Sequence, residues 1–321
     1  STPKPSSAAS DVYKRQIGNI KEVSTMSANI LDGNKIAKDI RNEVSAKVTT
    51  ITNSQHKTPG LAVVLIGDNP ASLSYVKGKE RDCEIVGIKT RTFKMKETTS
   101  QDEIINLIKH LNLDTNFHAI LTQLPFPDHI DERIIINTID PRKDVDGIGI
   151  NSAGLLSIDK PIFVPATPLG IQQMLLRSGI ETAGKHIVIC GRSNLVGRPL
   201  SILLSQKCVG GNATVTLCHT GTSNLKKYTL EADILIAAIG QPNAITYDMV
   251  KPHSTIIDVG INRIKDSSKK TGYRLIGDVD FENIKNLVDN ITPVPGGVGP
   301  MTRAMLLENT LKAYDLQTSR D

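Results

Sequence analysis

The chain has 321 residues, 39% of them hydrophobic and 22% charged, and its 38 Lys+Arg against 33 Asp+Glu give a formal net charge of +5. A length of this order predicts two domains with sizeable cores. The apolar content excludes wholesale disorder, and no apolar run approaches the ~18 residues of a membrane helix. Trp is absent and aromatics are only 3%, which disfavours nucleic-acid binding by base stacking, while dispersed positive charge suits small anionic ligands better than a duplex.

Residues Ser1 to Thr25 are rich in Ser, Ala and Pro, with no apolar period and no signal-peptide core. They read as a disordered or cloning-derived extension ahead of Met26; a mitochondrial transit segment is the alternative if they are native. From Leu31 the pattern sharpens. Ile36, Ile40, Val44, Val48 and Ile51 recur at helical spacing. Gly60–Gly67 is a short buried strand, Pro70 opens a helix to about Val86, and Ser100–Glu103 is a capping box for a helix through Leu111. His118–Gln123 is the next strand, and Glu132–Ile139 a short helix. Thr167–Pro168 reads as an N-cap followed by proline, opening a helix to about Leu176. Four buried-type strands follow: HIVICG, ATVTLC, ADILIAAIG and STIIDVG. A final helix runs from Met301 to about Tyr314. Near-continuous apolar strands alternating with helices predict parallel α/β sheets. Cys83, Cys190, Cys208 and Cys218 form no C-x-x-C pair and read as reduced intracellular thiols, with neither a disulfide frame nor a zinc site.

Five segments carry candidate chemistry. Gly191-Arg-Ser-Asn-Leu-Val-Gly197 follows a strand, where a glycine turn lets amides and a helix dipole meet a phosphate. Ser193 stands where G-x-G-x-x-G has its second glycine, so a plain tight turn explains the segment equally well. Tyr75 and Lys79 in YVKGK lie at i and i+4 on one helix face; a solvated face is the ordinary explanation, and a stacking ring beside an amine tuned by burial is the functional one. Gln123 in TQLPFP ends a strand, where ligands meet parallel sheets, although a strand terminator would look the same. PRKDVDG holds Asp144 and Asp146 two residues apart: a solvated turn, or a carboxylate accepting from a heterocycle. Ile291–Thr302 packs three glycines and three prolines into twelve residues. So stiff a loop favours close backbone approach to a ligand.

Together these segments resemble the bifunctional methylenetetrahydrofolate dehydrogenase/cyclohydrolase family, from about Ala28 to Tyr314, with DVDG and above all TPVPGGVGPMT as the specific motifs. The resemblance implies an α/β fold of two domains: residues 26–167 plus 296–321 binding folate, and a Rossmann-like domain, residues 168–295, binding NADP, with the C-terminal helix returning to the first. It implies oxidation of 5,10-methylenetetrahydrofolate to the methenyl form and hydrolysis of that to 10-formyltetrahydrofolate, in a cytoplasmic homodimer with no metal, membrane or nucleic-acid partner. By the same resemblance Tyr75 stacks on the p-aminobenzoate ring, Lys79 is the essential lysine, Gln123 tunes it, and Asp146 grips the pterin while Asp144 is structural. Val76, Lys77, Gly78, Thr122, Leu124 and the stretch Pro295, Gly296, Gly297, Val298, Gly299, Pro300, Met301, Thr302 and Arg303 line the folate. Gly191, Arg192, Ser193, Thr220 and Ile261 contact the dinucleotide. NAD-using mitochondrial relatives have Arg at the position of Thr220 and Asp at that of Asn212, helping to hold a phosphate and a magnesium ion; both are missing here. The alternatives are an NAD-dependent dehydrogenase without cyclohydrolase activity, against which Lys79 and Gln123 stand, and an inactive Rossmann-like binding protein, which fold alone permits.

Overall fold

The computed structural model describes residues 27–54, 56–269 and 272–318, so the expectations for Ser1–Thr25 lie outside the described residues. The first described elements are β1 (Asn29–Ile30) and α1 (Gly33–Asn53), capped by Asp32, whose carboxylate accepts from the amides of Asn34 and Lys35 at 2.9 and 3.2 Å. Next come β2 (Gly60–Ile66), α2 (Pro70–Val86), β3 (Lys89–Met95), α3 (Gln101–Leu113) and β4 (Ala119–Thr122). They form a parallel sheet in the order β3-β2-β4. The predicted capping box is present: Ser100 Oγ accepts from the Glu103 amide, and the Glu103 carboxylate from the Ser100 amide. Helix α2 has Asn69 as N-cap, proline at its first turn, and stops at Gly87, whose φ of 83° is open to glycine at little cost.

Three helices, α4 (Glu132–Thr138), α5 (Ile150–Ser157) and α6 (Ala166–Arg177), lead to the second sheet. Its strands are β5 (His186–Cys190), β6 (Thr214–Cys218), β7 (Ile234–Ala237) and β8 (Thr255–Asp258), with α7 (Gly197–Ser205) and α8 (Leu225–Thr229) as crossovers. An antiparallel hairpin, β9 (Asn262–Lys265) with β10 (Tyr273–Ile276), the short α9 (Phe281–Ile284) and β11 (Asn290–Ile291) precede the long α10 (Val298–Thr318). The sheet order is β1-β11-β8-β7-β5-β6, all parallel.

Strand alternation divides the core into layers. Leu61, Val63 and Leu65 on one face of β2 join Ile187 and Ile189 of β5 and Met301, Met305 and Leu306 of α10 in one cluster. Ala62, Val64 and Ile66 face away, onto Ile104 and Ile108 of α3; Val188 and Cys190 face the outer layer of the second sheet. Helices α1, α6 and α10 thus form a shared middle layer, with α10 packed along both α1 and α6.

Three details differ from expectation. Residues 29–30, expected in the first domain, pair with Asn290–Ile291 at the edge of the second sheet. The N-cap of α6 is Pro165, not Thr167, which lies inside the first turn and pairs its hydroxyl with that of Thr302 at 2.9 Å. Helix α10 begins at Val298 rather than Met301; Pro300 is tolerated there because a first-turn residue has no intrahelical amide bond to lose.

Candidate active site

In a parallel sheet, side chains at the carboxyl ends of strands flanking a reversal of strand order converge on a crevice. The first sheet reverses at β2, because the chain passes from β3 on one side to β4 on the other. Gln123 follows β4, and its amide donates to Val64 O at 2.9 Å. Its side-chain Nε2 donates to Leu124 O at 2.7 Å, which leaves Oε1 to accept from Lys79 Nζ at 3.1 Å. The two residues are forty-four positions apart in sequence yet meet because α2 crosses the same sheet end.

The DVDG turn is drawn to the same place. Ile120 bridges to Asp144, and the Ile120 amide donates to Lys143 O at 2.8 Å. Asp144 is buried and turned inward: Oδ2 accepts from the Gly149 amide at 3.0 Å and Ser152 Oγ at 2.7 Å. Asp146 is half-buried at the cleft and within electrostatic reach of Lys79. Burial pushes the Asp146 carboxyl up to about 6 against the opposing pull of Lys79. Burial likewise holds the Lys79 amine below its ordinary value, with Asp146 opposing. Tyr75, one turn before Lys79, leaves 48% of its surface exposed, so its ring is free to meet a ligand.

Helix α10 closes the other wall. Gly296 has φ 105°, and a Cβ on Gly33 would lie 1.8 Å from Gly297 O, so this loop packs backbone to backbone against the start of α1. Arg303 projects over Gly78, where a Cβ would come within 3.0 Å of its Nη1. Its Nε meets Asp82 Oδ2 at 3.3 Å, and the Asp82 side chain is only 7% exposed. Asn309, also buried, donates to Val145 O at 2.8 Å and Val164 O at 3.0 Å, tying DVDG to α10. Neither Asp82 nor Asn309 was expected from the sequence, although Asp82 lies three residues after Lys79 on the same helical face. Val76, Thr122, Val298 and Met301 are buried in the core and expose almost no surface to the cleft. Lys77 and Pro295 are exposed, whereas Leu124, Pro300 and Thr302 are half-buried around the opening.

The second crevice lies at the reversal beside β5, between β6 and β7. Gly191 there has φ 134°, and a Cβ would lie 2.1 Å from Ala238 O; at Gly197 one would lie 1.8 Å from Gly191 O. Side chains are excluded, so the turn presents backbone to anything above it, the surface a pyrophosphate requires. Arg192, Ser193 and Thr220 are exposed around this turn, although the Ser193 hydroxyl is partly engaged by the Val196 amide at 3.1 Å. Ile261 leaves the end of β8 and reaches the wall that α10 forms: its Cδ1 is 3.7 Å from where a Cβ on Gly299 would lie. The two crevices therefore meet at Ile261 and Gly299.

Comparison with known proteins decides the family. The catalytic-domain model of tetrahydrofolate dehydrogenase/cyclohydrolase matches residues 31–146, and the NAD(P)-binding-domain model of the same family matches residues 165–318. The chain belongs to the tetrahydrofolate dehydrogenase/cyclohydrolase family. Bifunctional protein FolD of Salinibacter ruber is 50% identical over 292 residues, 91% of this chain and 97% of the relative. The crystal structure of the bifunctional enzyme FolD from Campylobacter jejuni superposes with a TM-score of 0.84 at 43% identity, covering 91% of this chain and all of that one. The Trypanosoma brucei methylenetetrahydrofolate dehydrogenase-cyclohydrolase, solved with NADP cofactor and an inhibitor, gives 0.86 at 33% identity over 92% of this chain and 99% of that one. Within this family fold, the Asp82–Arg303 pair supports one expected result. Asp82→Ala leaves Arg303 without its counter-ion beside the cleft and is expected to cost roughly 1–3 kcal/mol. A raised KM for folate in steady-state assays, with kcat little changed, is the corresponding measurement.

Proposed function

We propose that Lys79 serves the hydrolytic step of a bifunctional enzyme, with Gln123 holding it, Asp146 and Tyr75 gripping the folate, and residues 191–193, 220 and 261 meeting the dinucleotide. The enzyme oxidises 5,10-methylenetetrahydrofolate with NADP and hydrolyses the resulting methenyl cation to 10-formyltetrahydrofolate. The observation that carries the reading is the Lys79–Gln123 hydrogen bond of 3.1 Å at the cleft end of β4. Nothing favours a dehydrogenase lacking the second activity, or an inactive binding protein.

NADP, when bound, accepts the hydride. The chain's own task in this step is alignment, because N5 and N10 of the folate already delocalise the positive charge left on the bridging carbon. Tyr75 supplies a stacking face, Asp146 an acceptor for adjacent pterin N–H groups, and the Ile261–Gly299 junction the place where donor carbon and nicotinamide approach. In the second step water adds to the methenyl carbon. A lysine amine whose pKa is lowered by burial can, in its neutral form, take one water proton and return it to N5 as the carbon–N5 bond opens, while the remaining hydroxyl proton leaves to solvent as the formyl C=O forms. Gln123 suits this role because it is uncharged. A carboxylate there would favour the ammonium form and remove the base.

Arg192 and Thr220 are proposed to meet the 2′-phosphate. Arg192→Ala is expected to raise KM for NADP far more than for NAD, and steady-state kinetics with both cofactors, with and without magnesium and phosphate, test this. Equal effects on the two cofactors would remove Arg192 from that role. A homodimer in the cytoplasm completes the reading, with sedimentation and cell fractionation as its checks; among the described residues no helix is long and apolar enough to cross a membrane.

A further inference from the structure

Two buried carboxylates that touch no part of the proposed cleft lie directly beneath its dinucleotide side. Asp278 is completely buried. Its Oδ2 accepts from the amides of Ile239 at 2.6 Å and Gly240 at 2.8 Å, and its Oδ1 from Asn262 Nδ2 at 2.8 Å. Asp258, at the end of β8, accepts from the amides of Gly260 at 2.9 Å, Asp278 at 2.9 Å and Val279 at 3.0 Å. Two glycines make room for them. A Cβ on Gly260 would lie 2.1 Å from Asp278 Oδ1, and one on Gly277 would lie 1.8 Å from Asp258 Oδ2. Side-chain substitution at either glycine would expel a carboxylate.

The hydrogen bonds join three segments: the turn after β7, the turn after β8 that carries Ile261, and the strand exit before α9. The first two lie at consecutive strand ends next to Gly191. Because a trans peptide points its C=O away from its N–H, drawing the Ile239 amide inward turns the Ala238 carbonyl outward, to the position where it excludes a side chain at Gly191. Asn262 tethers the residue next to Ile261. Burying a carboxylate is expensive unless amides satisfy it, so the number of amides aimed at these two groups makes the loop geometry nearly unique.

We infer that Asp278, seconded by Asp258, is a positioning residue for the dehydrogenase reaction, fixing the loops after β7 and β8 that receive the nicotinamide half of NADP and present Ile261 to Gly299. This rests on the dinucleotide reading given above. The carboxylate acts through backbone, not through contact with cofactor or substrate. Its loss therefore separates the two activities: the oxidation needs those loops, whereas hydrolysis at Lys79 uses no dinucleotide.

The test is Asp278→Asn, which keeps size but places an amide donor among donors. Calorimetric titration with NADP is expected to give a Kd raised about tenfold or more. Hydrogen exchange at Ile239 and Gly240 is expected to accelerate, while the cyclohydrolase rate stays within about twofold of wild type. Asn262→Ala, which removes one side-chain donor without altering a buried charge, is expected to raise KM for NADP several-fold with hydrolysis unchanged, and carries the test if Asp278→Asn does not fold. Unchanged NADP affinity and exchange in the folded variant would overturn the inference. So would a parallel fall of both activities, which marks a merely structural residue. A wild-type protein that binds no NADP would instead sink the dinucleotide reading itself.

Discussion

Lys79→Met is expected to remove cyclohydrolase activity while the protein remains folded and still oxidises methylenetetrahydrofolate. General acid–base groups contribute roughly 10²–10⁴-fold, so hydrolysis of methenyltetrahydrofolate, followed by its absorbance, should slow by about that factor. Methionine retains the length and apolar stem of lysine and removes the amine, which separates chemistry from packing. The wild-type pH profile supplies an independent reading. Burial lowers the Lys79 pKa, and a base must be neutral to act. The hydrolytic rate should therefore rise with pH along a limb lying below the ordinary lysine range. Gln123→Glu should move that limb to higher pH, because a carboxylate 3.1 Å from the amine, where Oε1 now stands, favours the ammonium form. Wild-type hydrolysis by Lys79→Met, or a limb unmoved by Gln123→Glu, would remove Lys79 from the chemistry.

What the sequence made legible follows from where its signals are strongest. Strands β2, β5, β7 and β8 are buried on both faces, so they read as continuous apolar runs with recognisable ends. Local chemistry likewise announces α2 and α3, since the Asn69–Pro70 and Ser100–Glu103 signals lie within a few residues of the helices they start. Strand β3 (KTRTFKM) escapes the sequence because it is an edge strand whose first four residues are all polar, and β9–β10 is a short hairpin exposed on one side. The carboxylate and amide braces were illegible for a different reason. Asn309 reaches Val145 across 164 positions, and Asp278 collects donors from two loops well upstream. No local pattern encodes such contacts; the middle layer formed by α1, α6 and α10 creates them. The motifs that line the cleft have local spacing, and only the fold brings them to one place.

Asp146→Asn is the variant expected to impair both activities together. A carboxylate can accept from two adjacent N–H groups of a 2-amino-4-oxo pterin in a charge-assisted bidentate pair, whereas an amide offers one acceptor and turns a donor against the second N–H. Losing a hydrogen bond to a charged group costs roughly 1.5–3 kcal/mol, which corresponds to about ten- to hundredfold weaker folate binding. Calorimetry with a stable tetrahydrofolate such as the 5-formyl derivative measures this directly. The pH dependence adds a sign. Asp146 is pushed up to about 6 by burial, with Lys79 acting in the opposite direction, so acidification through that value protonates the acceptor and folate affinity should fall. The variant has no carboxyl to titrate and should lose this dependence. It also withdraws the negative charge that raises the pKa of Lys79, so the residual hydrolysis should shift its rising limb to lower pH, opposite to the shift from Gln123→Glu. Asp144→Asn provides the contrast: its carboxylate is committed to Gly149 and Ser152, so its loss should lower the melting temperature, with folate affinity falling only as far as the DVDG turn loosens. Unchanged folate affinity in Asp146→Asn would reduce DVDG to a turn, whatever the Asp144 variant did.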